Sequence, residues 1–273
     1  MLTFLVFLIG ANLAREAIAQ KQGSVNCSTN FLSMTEDVKM QKSYSNMDDS
    51  LGTGILKAFA SSCEAERDGA PLIIDVGSNK GGTLLRYFTI FSNLEDIMLR
   101  KWYHSQGMFE FDMGKVLQSA PQVFAIDPLK TAEKKMSKLI VDFQLTSYLH
   151  FDALAMGNTT GTVHMYLPKE KGRVDEGGQI ETSGVESQWK DRGGVKVEGI
   201  EMTTIDRYLA GKKLLGKEIA FLKIDVEKLD FLVIQGASNV FKNQLVQLGQ
   251  YEYIDGAISL VEITEWLKER GST

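Results

Sequence analysis

At 273 residues and a formal net charge of -5, the chain is long enough for one α/β domain with a sizeable core. Its acidity gives no general attraction to phosphate backbones, which argues against nucleic acid as a partner. Hydrophobic residues make up 44%, an ordinary globular share, and no repeat or low-complexity tract breaks the sequence.

The opening MLTFLVFLIGANLAREAIAQ is apolar from Leu2 to Leu13, apart from Thr3, Gly10 and Asn12, and reaches the small-x-small pattern Ala17-Ile18-Ala19. Residues 1–19 therefore read as a secretory signal cut before Gln20, which routes the chain to the lumen or outside and leaves no stable membrane span. A retained N-terminal anchor and a buried N-terminal helix are the alternatives, the anchor disfavoured by the short run. Two features fit that route. Cys27 and Cys63 are the only cysteines and close one bridge or remain two thiols, since sequence does not fix pairing. Asn26 and Asn158 each open a glycosylation acceptor pattern.

Residues 20–50 are polar and without period, an arm or linker, and the domain occupies 51–273. Asp48, Asp49 and Ser50 offer caps for a helix with Ile55, Leu56, Phe59, Ala60 and Cys63 on one face, a face to pack beside the first strand. That strand lies in PLIIDVGSNKGGT, Pro71 to Thr83, where an apolar run passes into a glycine turn and then a helix over Thr83 to Phe91. Glycines at such a turn let a ligand approach the main chain at the carboxyl end of a first strand. The second glycine of a dinucleotide fingerprint is replaced by Asn79, and Lys80 is followed by Gly81 rather than by Ser or Thr, so neither phosphate motif is met. Asp75 directly before the turn suits a ligand with a cationic end, such as S-adenosylmethionine, better than a pyrophosphate.

Residues 93–120 exceed the usual helix-to-strand connection and read as an insertion, an extra helix or the lining of a pocket. Val123 to Ile126 is a second buried strand that ends at Asp127, placed to accept both hydroxyls of a ribose, or else to cap the helix Thr131 to Phe143. Glu95 and Asp96 lie nearer the usual spacing but follow no apolar run. Tyr148 to Met156 reads as a third strand, with Asp152 and Ala153 at the adenine edge, and Gly161 to Leu167 as another. His150 and His164 are isolated, and no group has metal-ligand spacing.

Lys169 to Lys196, with six glycines, reads as a surface loop, a lid or a segment without a role. A short helix over Met202 to Ala210, capped by Thr203 or Thr204, leads to the strand Ile219 to Val226. That strand delivers Asp225 and Glu227 to the edge holding the glycine turn, where carboxylates orient a nucleophile or take its proton. A helix over Phe231 to Phe241, a strand over Leu245 to Tyr253 and a helix over Ile258 to Arg270 complete the chain.

The order of IDVGSNKGG, VFAIDP, DALAMGNTTGTVHMY, MTTIDRYL, FLKIDVE and the Tyr251-Glu252-Tyr253 strand resembles that of the FkbM family of S-adenosylmethionine-dependent methyltransferases. The resemblance implies a class I methyltransferase fold, a Rossmann-like, mostly parallel sheet with helices on both faces. It also implies methyl transfer to a hydroxyl of a sugar, glycan or secondary metabolite. It assigns Asp75, Gly77, Asn79 and Gly81 to the methionine part of the donor, Asp127 to its ribose, and Asp152 with Ala153 to its adenine. Asp225 and Glu227 face the reacting methyl, with Asp225 as the candidate base. Two departures stand out. The family follows its last motif with Gly, a small residue and Glu, whereas this chain has Lys228-Leu229-Asp230. The usual C-terminal antiparallel strands are also missing, which leaves an open sheet edge and the rival expectation of a donor-binding or interaction protein without turnover. A nicotinamide oxidoreductase is a third expectation, disfavoured by the missing glycine.

Overall fold

The computed structural model describes residues 3–8, 56, 59–60, 69–79, 81, 83–91, 120–168, 178–181, 194–253 and 259–270. The first half contributes β1 (Thr3–Leu8), β2 (Leu72–Val76), α1 (Leu84–Phe91), β3 (Gln122–Ile126), α2 (Lys130–Asp142), β4 (Leu149–Asp152), β5 (Ala155–Met156) and β6 (Gly161–Leu167). There follow β7 (Gln179–Ile180), β8 (Val195–Thr203), α3 (Ile205–Gly211), β9 (Ile219–Ile224), α4 (Asp230–Gln235), α5 (Ser238–Lys242), β10 (Val246–Tyr253) and α6 (Leu260–Lys268).

Six strands form the central sheet in the order β1-β10-β9-β2-β3-β4. All neighbours are parallel except β1, which runs antiparallel to β10. The central strands are mostly apolar because both faces are covered, and every residue of β2 and β9 is buried, Asp75 and Lys223 included. Ile73, Val123 and Phe221 join Leu56, Phe59, Ala60 and the buried residues of α1 and α2 on one face. Ile74, Ile126, Leu222 and Ile224 meet α3, α4, α5 and α6 on the other. Each such fully buried aliphatic side chain contributes about 1.5–3 kcal/mol. The sheet grows outward from β2 in two directions, to β3 and β4 on one side and to β9 and β10 on the other. Open α/β sheets bind ligands at the carboxyl ends flanking such a reversal.

A second sheet, ordered β5-β8-β6-β7, packs through Met165, Leu167 and Ile200 against Leu129 and Ala132 at the start of α2. Its presence corrects several boundaries. The single strand expected over Tyr148 to Met156 is two: β4 stays in the central sheet, while Ala155 and Met156 pair with Met202 and Thr203 of β8. A tight turn separates them, the Leu154 N–H donating to the Asp152 carbonyl at 3.0 Å. Within the expected surface loop, Gln179–Ile180 pairs with β6, and Val195 and Lys196 already belong to β8. Met202 and Thr203 end that strand, so the next helix starts at Ile205, capped by the Thr204 hydroxyl, which accepts from the Arg207 N–H at 3.2 Å.

The helix expected over Phe231 to Phe241 is broken at Gly236 and Ala237. A Cβ at Gly236 would stand 2.0 Å from the Gly157 carbonyl oxygen, so two backbones approach too closely there for any side chain. At the far end, α6 opens with a reciprocal cap between Ser259 and Glu262.

Thr3–Leu8, inside the expected leader, pairs with β10 from Thr3↔Tyr253 to Leu8↔Leu248 and covers its outer edge. A leader that is removed and a strand that stays are alternative fates for the same six residues. No helix among the described residues is long and apolar enough to cross a membrane. The 20–50 arm, both cysteines and all of the 93–120 insertion except Ala120 lie outside the described residues.

Candidate active site

The glycine turn after β2 is held by two donors on one acceptor: the Gly77 and Ser78 N–H groups reach the Ile126 carbonyl at 2.8 and 3.2 Å. Gly77 has φ +80, and a Cβ there would lie 1.8 Å from the Asp225 carbonyl oxygen, so the turn presses directly on the exit of β9. Asn79, with φ 48, is the second left-handed residue of the turn. Together these bends open a cavity of about 380 Å³ at the carboxyl ends of β2, β3 and β9. One end is polar, with Ser78, Asn79, Asp127, Lys223, Asp225 and Glu227. The other is apolar, walled by Leu129, Leu154 and Met156 and by Met165 and Ile180 of the second sheet.

Asp127 joins the two loops that border the polar end. One carboxylate oxygen accepts from the Asn79 N–H and the other from the Leu129 N–H, each at 3.0 Å. Burial pushes its pKa up, opposed by those two hydrogen bonds. Each oxygen keeps a lone pair for a further donor, as a diol requires. Nearby, Ser78 Oγ and Asn79 Oδ1 are buried without a hydrogen-bond partner among the described residues.

Across the turn, four side chains form a chain of contacts. The Tyr87 hydroxyl donates to Asp75 at 2.8 Å, and Lys223 Nζ lies 3.5 Å from the other Asp75 oxygen and 3.1 Å from Asp225. Burial alone would lower the Lys223 pKa, but Asp75 and Asp225 more than offset it and hold the ammonium charged above the usual lysine value. Glu227, with φ 56, has its carboxyl pushed up by burial and by Asp225.

A family model described as the Methyltransferase FkbM domain matches residues 75–273, from the end of β2 to the last residue of the chain. The chain belongs to the FkbM methyltransferase family. Among solved structures, the FkbM methyltransferase of Methylobacillus flagellatus KT is similar at 13% identity and a TM-score of 0.35. The match covers 85% of this chain and 47% of that one, so the chain spans about half the length of that relative. A search of the curated proteins gave no match.

Within this FkbM-family domain the residues singled out in the sequence divide into two groups. Gly77, Asn79, Asp127, Asp225 and Glu227 line the cavity. Asp75, Gly81, Asp152 and Ala153 do not. Asp75 is fully buried and turned to Tyr87 and Lys223. Gly81, with φ +77, lies against Met136 and Leu139 of α2, where it fits the turn to the helix. Asp152 is held by the Tyr208 hydroxyl at 2.7 Å and by Lys212 at 2.7 Å, and Ala153 is exposed. The β4-to-β5 turn brings Leu154, not Asp152, to the cavity wall.

Sequence reasoning missed Lys223, Ser78 and the whole contribution of the second sheet. For Lys223 a signal existed: it is the one charge in IAFLKI, and a buried ammonium needs carboxylate partners. No comparable signal marks Met165 or Ile180, whose place depends on strand pairing.

Proposed function

We propose that this domain binds S-adenosylmethionine in the cavity and transfers its methyl group to a hydroxyl of a sugar, glycan or secondary metabolite. The observation that carries the reading is the convergence of Asp127, Ser78 and Asn79 on one cavity at the reversal of the sheet, with Ser78 Oγ and Asn79 Oδ1 unpartnered among the described residues. Asp127 fits a ribose diol, Ser78 and Asn79 fit the polar methionine end, and Gly77, without a Cβ, lets the turn close against the Asp225 backbone at the cavity's edge. The apolar end fits adenine, with Leu154 and Met156 taking the part first expected of Asp152 and Ala153. Among the described residues, three lining carboxylates against one ammonium favour a cationic ligand.

The donor supplies a methyl group already activated by positive sulfur, so the chain's own task is to orient the acceptor and exclude water. Asp225, at the polar end, is placed to take the hydroxyl proton, and Glu227 stands beside it. Titration with S-adenosylhomocysteine tests the donor site: micromolar binding that Asp127→Ala weakens at least tenfold is expected, and no binding by the intact protein refutes it.

One observation favours a second reading, donor binding without turnover. Glu227 and Lys228 both carry positive φ, 56 and 77, at the edge where the reacting methyl belongs, and the family has glycine at the second position. A methyl-release assay on mixed glycans and small hydroxyl compounds separates the two, since an inactive domain binds donor and releases none. Passage through the secretory pathway accords with a glycan acceptor, and N-terminal sequencing of the mature protein tests the cleavage it predicts: a start at Gln20 supports cleavage, and a start at the initiator end refutes cleavage.

A further inference from the structure

We propose that Lys223 is a positioning residue: clamped by Asp75 and the Gly77 carbonyl, it holds the Asp225 carboxylate toward the part of the cavity that receives the donor's positive charge. The inference rests on the donor reading above and adds to it a role for two residues that do not react.

The geometry is that of a strut. Lys223 and Asp75 are register partners on β9 and β2, so the ammonium is anchored from the neighbouring strand. Its side chain is buried, with 8% exposed where it borders the cavity. Lysine has three N–H bonds, and three acceptors surround Nζ: Asp225 at 3.1 Å, Asp75 at 3.5 Å and the Gly77 carbonyl at 3.5 Å. No donor is left over for a ligand.

Asp225 is differently placed. It follows the last residue of β9, its side chain is 28% exposed, and Lys223 is its only ion-pair or hydrogen-bond partner for the carboxylate among the described residues. Without that contact no other described side chain keeps the carboxylate from turning to water. Asp75 accordingly acts at one remove: fully buried and bonded to Tyr87, it fixes the lysine that fixes Asp225.

Two probes read the orientation of that charge without an acceptor. S-adenosylhomocysteine has a neutral sulfur; sinefungin has a cationic amine where the methyl-bearing sulfonium stands. The full chain binds both and prefers sinefungin. In K223M/D75N, which removes the pair together and keeps an acceptor for Tyr87, we expect S-adenosylhomocysteine affinity within about threefold and a loss of about tenfold in the sinefungin preference, the scale of one weakened charge contact. Lys223→Arg restores charge and reach and retains the preference. A purely structural role would weaken both probes alike, and that outcome, or an unchanged preference, overturns the proposal. If K223M/D75N does not fold, K223M/D75L replaces the pair by apolar side chains and is read in the same way. Failure of the unaltered protein to bind either probe overturns the donor reading itself, and this inference with it.

Discussion

Asp75 and Lys223 stand opposite each other on adjacent parallel strands, 148 residues apart in sequence, and their charged ends lie 3.5 Å apart with Asp75 fully buried. A pair of this kind contributes little net stability relative to apolar side chains, yet breaking it is costly because one charge is left without its partner. Lys223→Met should therefore destabilise the domain by about 3–5 kcal/mol, and adding Asp75→Asn should recover part of that loss. Urea denaturation of the two single variants and the double variant measures the coupling. Additive losses would show that the two residues do not act as a pair.

Gly77 is the position where substitution meets backbone rather than a movable side chain. Its φ of +80 and the 1.8 Å that would separate an added Cβ from the Asp225 carbonyl oxygen mean that Gly77→Ala must displace the turn from β9. The expected cost is at least about 1–3 kcal/mol of backbone strain. Titration calorimetry should show S-adenosylhomocysteine binding lost with it, and retention of wild-type affinity would contradict the close approach.

Lys228 presents the reverse case, a side chain held at φ 77 with its residue exposed to solvent. Glycine there relieves the left-handed penalty, so Lys228→Gly should raise stability by about 1 kcal/mol. Thermal unfolding of the two proteins measures it, and a lower midpoint in the variant would refute the strain. If the turn also limits turnover, methyl release rises in the same variant.

Glu227 gives a dependence on pH. Its folded pKa is raised above the ordinary glutamate value of 4.5 by burial and by Asp225, with Lys228 opposing. The folded chain thus holds that proton more tightly than the unfolded chain, a contribution fully present below pH 4.5 and lost as pH rises through the higher folded value. At neutral pH the ionised carboxylate is penalised, so Glu227→Gln should be the more stable protein there, with its advantage shrinking toward pH 4.5. Denaturation midpoints of both proteins across pH 4 to 8, roughly the span over which a raised carboxyl titrates, check this, and a constant difference would refute it.

Runs of apolar residues and short turn signals act over a few residues, and these were legible. LIIDV, QVFAI and IAFLKI each form a buried strand, the glycine turn follows the first, and Asp127 follows the second at the cavity. The capping hydroxyl of Thr204 was likewise among the two expected. What the sequence by itself determined was the parallel α/β sheet, the glycine turn at the carboxyl end of its first strand and the resemblance to the FkbM family. Tertiary structure alone decided which side chains share the cavity. Asp75 turned inward to Lys223, Asp152 was taken by Tyr208 and Lys212, and a second sheet supplied the apolar wall. The physical reason is range: periodicity and capping depend on neighbours in the chain, whereas ion pairs and sheet register join residues whose separation in sequence carries no local mark.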